Sequence, residues 1–466
     1  GRTWTARSVL PVASPPMTTE ERCGDDPLDR LILGDALDVA RALESDGTCA
    51  KADLIYIDPP FASQADYVHE ARLDGPADGR VRRSVAYADT WHGGGTRGSR
   101  QDGVSAYLNM LAPRLEALAR LLAPTGSLWV HLDWRASYLV RVLLDEILGR
   151  DRFKNEIVWR RAPNLGRQAA SAQFGRTVDT ILVYGGAQAK LTPPTRLEPI
   201  EDRAIRWDDE GRPFTTAPRG DYTDKSIARL AAEGRVHRTH SGRVYIKYFL
   251  VKDESGRLCR ERRVDTLWTD VPPLRHAAVH ERTGFPTQKP RALLDRIVRC
   301  ASPKGGLVMD LFSGSGTAGE AASALGRRFV LADAGPVAVV TARARLLRAG
   351  ASFALERCGG LELPRGAAPD ARVTAMGPSD LSVTLDEPAE PLAWAVDAAH
   401  DPTAAFVVTR HSERQPGARP VPATRTAVVP RAKRSVAVRV YTDDGAVATK
   451  VIRSEAPDND SRGSAS

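Results

Sequence analysis

A chain of 466 residues is too long for a single small core and implies two or three compact units. Its 66 basic and 58 acidic residues leave a formal net charge of +8, compatible with a polyanionic partner but not requiring one. The five cysteines (Cys23, Cys49, Cys259, Cys300, Cys358) form no Cys-x-x-Cys pair and no apolar run reaches a membrane span, so no metal site, disulfide framework or membrane partner is expected, and the compartment is expected to be the reducing cytoplasm.

In chain order, residues 1–24 read as a flexible extension. Residues 31–35 form a short strand and turn ending on Asp35, and a helix follows to about residue 43. The apolar run 52–57 is a buried strand that delivers Asp58-Pro59-Pro60-Phe61 at its end, the place where α/β enzymes carry their chemistry. Two prolines cannot continue a central strand and have no N–H, so their carbonyls are held stiffly as acceptors. A carboxylate, fixed carbonyls and an aromatic face together suit an exocyclic amine on a planar base, whose lone pair must be localised before it can attack. Asp and Pro are equally ordinary turn residues, so the tetrapeptide alone leaves both readings open.

Helical spacing over 107–122, a strand at 127–132 and a second helix over 138–148 continue an alternation that predicts a parallel sheet. From 161 to 285 the texture changes to short extended pieces, prolines and many Arg and Lys residues, with 245–251 the clearest strand. This reads as an inserted region. Regular βαβ texture returns over 286–355. Within 356–454 the segments 436–440 and 446–452 alternate around Asp444-Gly445 as a hairpin, and 455–466 reads as a disordered tail.

A second strand, 306–312, runs through Asp310 and Phe312 into a loop containing Gly314 and Gly316 and then a helix, which is a nucleotide-binding arrangement. The next strand ends at Asp333, an acidic residue placed to accept from ribose hydroxyls. No Gly-Lys-Ser/Thr follows, which argues against a Walker phosphate loop, and the two-glycine form departs from the dinucleotide fingerprint.

Three motifs in this order carry a family resemblance: Asp58-Pro59-Pro60-Phe61, Thr287-Gln288-Lys289-Pro290 at a helix start, and Asp310-Leu311-Phe312-Ser313-Gly314-Ser315-Gly316. The chain resembles the DNA adenine-N6/cytosine-N4 methyltransferases of the beta group, in which the catalytic motif precedes the cofactor motif. It looks most like modification subunits of type III restriction systems and their orphan relatives. The resemblance implies a doubly wound, mostly parallel Rossmann-like sheet. With the changes of texture along the chain it gives a catalytic half (25–160), a target-recognition insert (161–285) and a cofactor half (286–355); it covers roughly residues 31–347 and leaves the β-rich accessory region (356–454) without a matching motif. It further implies S-adenosylmethionine as cofactor and double-stranded DNA as substrate. A separate restriction subunit and a homodimer are also compatible with it.

By the same resemblance Asp58, Pro59, Pro60 and Phe61 act on a flipped base. Asp310, Phe312, Gly314, Gly316 and Asp333 hold the cofactor with Thr287, Lys289 and Pro290, the last group at its methionine portion. Asp35 matches a Gly-Asp turn of the family and is equally a simple turn. Arg160, Arg161 and Arg167 are candidate DNA contacts, and the basic set Arg419, Arg425, Arg431, Lys433, Arg434 and Arg439 a candidate DNA clamp or dimer surface. Asp-Pro-Pro with an aromatic residue favours adenine N6; cytosine N4, and an inactive DNA-binding protein of the same fold, are the alternatives.

Overall fold

The computed structural model describes residues 14–25, 27–61, 65–72, 81–89, 100–163, 174–377, 379–388, 391–416, 423–431 and 435–452. The chain divides into two compact units, one formed by residues 1–191 with 266–466 and the other by Thr192–Asp265.

The first half of the larger unit contributes β1 (Met17–Cys23), β2 (Arg30–Leu33), β3 (Ala52–Ile57), a hairpin of β4 (Ala65–Arg72) and β5 (Val81–Asp89), then β6 (Leu122–Leu132), β7 (Phe153–Arg160) and β8 (Val178–Gly185). Helices α1 (Ala36–Ser45), α2 (Arg100–Leu121) and α3 (Ser137–Leu148) alternate with them. The smaller unit is a six-stranded sheet of β9 (Thr195–Pro199), β10 (Arg206–Trp207), β11 (Pro213–Pro218), β12 (Val236–Arg238), β13 (Val244–Lys252) and β14 (Leu258–Arg263). Helix α4 (Asp224–Ala232) covers one face of that sheet, with Ile227 and Leu230 against Ile246. The chain then returns as β15 (Leu267–Trp268), α5 (Arg291–Ala301), β16 (Leu307–Asp310), α6 (Thr317–Ala324), β17 (Arg328–Asp333), α7 (Pro336–Arg348) and β18 (Phe353–Cys358).

Eleven strands form the main sheet in the order β15-β7-β8-β6-β3-β16-β17-β2-β18-β1-β22, where β22 is Phe406–Val408. Its six central strands, β6 to β18, are parallel throughout. Such strands are buried on both faces, which is why Ala52–Ile57 reads as a near-continuous apolar run. Alternate residues divide between the faces: Ile55, Ile57, Val130, Met309 and Val330 join α1, α2 and α3 in one core. On the opposite face Leu331 meets α6 so closely that a Cβ on Gly319 would lie 2.5 Å from it. Two helix layers on a parallel sheet make a doubly wound, Rossmann-like fold.

Beyond α7, β19 (Asp370–Ala375), β20 (Asp380–Glu387) and β24 (Thr426–Pro430) pack on β21 (Ala393–His400), β23 (Arg410–Glu413), β25 (Ser435–Tyr441) and β26 (Val447–Ile452) as a sandwich, with Val383 and Val429 in one core with Trp394 and Val438.

Three expectations change here. Residues 17–23 are not a flexible extension but a sheet strand with Glu21 fully buried. The inserted unit is narrower than 161–285, because β8 and β15 belong to the main sheet. Within the C-terminal basic set, Arg439 is turned inward to within 3.6 Å of Glu21, and Arg425 Nε donates to the Leu385 carbonyl at 2.8 Å. Arg419, Lys433, Arg434 and residues 455–466 lie outside the described residues. Among the described residues no helix is long and apolar enough to cross a membrane.

Candidate active site

Strands β3 and β16 are distant in sequence and adjacent in the sheet, with Leu54 opposite Val308 and Ile55 opposite Met309. That register brings Asp58 and Asp310 to the same carboxyl edge. Between them opens a cavity of about 310 Å³, lined by Asp58, Pro60, Thr287, Lys289, Asp310, Phe312, Gly314 and Asp333 among others. The three sequence motifs therefore converge on one space, as expected of ligand sites in doubly wound sheets.

The glycine loop is shaped for close approach. Gly314 (φ +48°) and Gly316 (φ +76°) are both left-handed, and a Cβ on Gly314 would come 3.1 Å from Phe285. Gly316 is the N-cap of α6, so that helix opens its free N–H groups at the loop. Asp333 accepts from the backbone N–H of Gly314 (2.9 Å) and Gly335 (2.8 Å), fixing its carboxylate across the loop. Burial pushes the Asp333 carboxyl up, partly offset by those two donors. Asp310 is only 3% exposed; burial pushes its carboxyl well above the usual range, and the nearby Asp58 and Asp333 charges add to this despite the Phe312 N–H at 3.0 Å.

Among the described residues Asp58 is held from one side only: Lys289 Nζ contacts its Oδ2, whereas Oδ1 is buried with no hydrogen-bond partner. Lys289 also donates to the Thr287 carbonyl at 3.3 Å. The resemblance set Lys289 at the cofactor's methionine portion; in the structure its side chain pairs with Asp58 and lines the first cavity. Thr287 has φ +60°, a left-handed conformation that costs a β-branched residue roughly 1–2 kcal/mol. The segment holding it is tied down by Gln288, which accepts from Thr283 N–H (2.9 Å) and donates to the Glu281 carbonyl (2.8 Å). Pro290 caps α5 and Asp35 caps α1, accepting from Leu37 N–H at 2.9 Å. Asp35 also pairs with Arg114 at 2.5 Å and lines the cavity, so it is both turn residue and cavity wall.

A second cavity, of about 400 Å³, shares Thr287, Gln288 and Lys289 with the first and is lined by Phe61, Asp133, Arg135, Trp159, Arg161 and Asp179. A buried chain runs beneath it. Tyr56 Oη lies 2.9 Å from His131 Nδ1, His131 Nε2 lies 3.3 Å from Asp179, and Arg161 Nε donates to Asp179 at 2.7 Å. Burial raises the Asp179 carboxyl, but the hydrogen bond and charge of His131, with Lys289 and Arg161, more than reverse this and leave it lowered. An ionised Asp179 only accepts, so His131 Nε2 is the donor to it. Burial pushes the Tyr56 phenol well up, so it stays protonated beside His131 Nδ1. The imidazole fixed in this way stacks on Phe61, with centroids 6.2 Å apart and planes at 28°. Tyr56, His131 and Asp179 were not among the sequence candidates. His131-Leu132-Asp133 at a strand end was a readable signal, whereas Asp179 arrives on an antiparallel neighbour and had none. Arg160 is exposed on β7, Arg161 lines the second cavity, and Arg167 lies outside the described residues.

A family model described as DNA methylase (N6_N4_Mtase) matches residues 52–343, which hold all three motifs and the sheet that assembles them. The chain belongs to this DNA methylase family. Its class is that of the N6-adenine and N4-cytosine methyltransferases, whose cofactor is S-adenosylmethionine. The chain is 27% identical over 310 residues to the type II methyltransferase M.EcaI of Enterobacter cloacae (61% of this chain, 62% of the relative). It is 26% identical over 335 residues to the StyLTI Mod subunit, a type III restriction-modification protein of Salmonella typhimurium (63% and 49%). It therefore spans about half to three-fifths of the length of those relatives. A stretch of 61 residues is 46% identical to the DNA adenine methyltransferase YhdJ of Escherichia coli (13% and 20%). Among solved structures, TTHA0409 of Thermus thermophilus, a DNA modification methylase described as putative and complexed with S-adenosylmethionine, aligns at 18% identity and TM-score 0.39 (71% and 99%).

The residues present fit that cofactor. The left-handed glycines leave room for a ligand against the loop backbone, Ser313 Oγ is buried without a partner among the described residues, and Asp333 stands across the loop at the strand end.

Proposed function

We propose that this chain transfers a methyl group from S-adenosylmethionine to the N6 amine of an adenine extruded from double-stranded DNA. The observation that carries the reading is Asp58 Oδ1, a buried carboxylate oxygen with no partner among the described residues, beside two cavities that share Thr287–Lys289. The cofactor supplies an electrophilic methyl on a sulfonium; everything else is positioning by the chain. The first cavity would hold it, with Asp333 and the Gly314–Gly316 loop as the main contacts. The second would hold the base, stacked on Phe61.

Lys289 occupies Asp58 Oδ2 and so turns Oδ1 toward an incoming N–H. Acceptance of one amine hydrogen by Asp58 Oδ1 and of the other by the Pro59 carbonyl localises the lone pair and fixes its direction. No covalent intermediate on the protein is needed, and fixed electrostatics carry the rate. Extrusion of the base costs a few kcal/mol of stacking and pairing. The Thr192–Asp265 unit is assigned to target recognition, and the similarity to a type III Mod subunit supports a separate restriction subunit as partner.

Adenine is favoured by the Asp-Pro-Pro-Phe form and by the 61-residue similarity to a relative named an adenine methyltransferase. The test is expression of the chain and of Asp58→Ala in a methylation-free host, followed by genome sequencing for modified bases. N6-methyladenine at one motif, absent with Asp58→Ala, is expected. N4-methylcytosine would refute the adenine assignment, and no modified base in either strain would refute the transfer reaction.

A further inference from the structure

The rim of the second cavity includes Asp133 and Arg135, which line it, and Trp134 lies between them in the chain. The turn after β6 aims it outward: Asp133 Oδ1 accepts from Arg135 N–H at 2.8 Å, and the Asp133 carbonyl accepts from Ser137 N–H at 3.1 Å. The indole is 44% exposed, although its neighbours Leu132 and Ala136 are buried. Two guanidinium groups are packed against it, with Arg176 Cζ 3.7 Å and Arg135 Cζ 5.0 Å from a ring centroid. The backbone carrying Arg176 is anchored to the same rim, since its carbonyl accepts from Arg161 Nη2 at 3.4 Å and the Thr177 carbonyl from Arg161 N–H at 3.0 Å. Among the described residues this exposed aromatic, flanked by cations, fills no core and takes no part in holding Asp58 or the glycine loop.

We infer that Trp134, braced by Arg135 and Arg176, is the contact this protein makes with the DNA stack beside the extruded base. The inference rests on the reading of the second cavity as the base site. Removing a base from a duplex leaves an unstacked step, and an apolar side chain placed against that step offsets part of the lost stacking. An indole supplies that face without regard to sequence, and the adjacent guanidinium groups match the phosphates on either side. The occupant is therefore a duplex. A free nucleoside would fill the cavity and leave Trp134 untouched.

The measurement is single-turnover methylation of a duplex carrying the motif found by genome sequencing, compared with the same duplex with an abasic site opposite the target base. With the target paired, Trp134→Ala is expected to be slower than the parent protein by roughly tenfold or more. On the abasic duplex it should return to within about threefold, because the base there is already unpaired. Affinity for S-adenosylmethionine should not change, and Trp134→Phe should recover most of the rate. A Trp134→Ala rate equal to the parent's on the paired duplex, or equally reduced on both duplexes, overturns the inference. Failure of the parent protein to methylate either duplex would instead overturn the methyltransferase reading on which it rests.

Discussion

Asp310 illustrates how one residue's environment sets its chemistry. Its carboxyl is raised first by burial and then by the neighbouring Asp58 and Asp333 charges, so the folded state favours the protonated form. A raised folded pKa means that stability is undiminished below the ordinary Asp value of about 3.9 and falls as pH climbs from there through the folded value. Asp310→Asn keeps an oxygen for the Phe312 N–H and removes the ionisation cost. Thermal unfolding should show the variant more stable on the order of 1 kcal/mol at pH 8 and equal to the parent near pH 4. Calorimetric titration should show it binding S-adenosylmethionine more weakly, since Asp310 lines the cavity proposed to hold that cofactor. No gain at pH 8 would mean that the carboxylate is solvated better than its burial implies. Asp310 and Asp58 were legible in the sequence because each ends an apolar strand. The buried Tyr56–His131–Asp179 chain was not, because its members come from three strands and meet only after pairing.

At the scale of an element, the turn from β16 into α6 concentrates the demands of the site. Gly316 is left-handed at φ +76°, and a Cβ there would lie 2.8 Å from the Ala342 Cβ on α7. Gly316→Ala therefore meets a backbone cost of roughly 1–2 kcal/mol and an overpacking cost of about 1–3 kcal/mol. Urea denaturation should register the sum, and cofactor affinity should drop with it; a variant of parental stability would show that the loop has room to move. The spacing of the glycines is enough to predict this turn. It says nothing of Arg345, buried on α7, which donates to Thr317 Oγ1 at 2.6 Å and pairs with Glu320 at 2.9 Å, bracing the start of α6. Helical periodicity places Arg345 on a helix but does not say what that face meets.

Across the whole molecule, a buried ionic cluster joins three distant segments. Glu21 on β1 accepts from Arg343 Nε at 2.9 Å and Nη2 at 2.5 Å on α7, and from the phenol of Tyr441 on β25. Burial raises the Glu21 carboxyl, but Arg343 and Arg439 outweigh it and leave the pKa lowered. Its contribution is thus complete above the ordinary Glu value of about 4.3 and is lost as pH falls through the folded value. Glu21→Ala strands Arg343 without its counter-charge and should cost roughly 3–5 kcal/mol at pH 7, read by chemical denaturation. The deficit should shrink in acid; a loss below about 1 kcal/mol would place the cluster in contact with water.

The sequence by itself determined the strand-and-loop motifs, their order and the doubly wound class, because buried parallel strands demand apolar runs and tight turns demand particular residues. Only the tertiary structure decided that Lys289 pairs with Asp58, that two cavities meet beside its free oxygen, and that residues 17–23 complete the main sheet. These depend on which side chains sheet pairing brings face to face. Local spacing carries no record of partners more than two hundred residues apart, as Lys289 and Asp58 are.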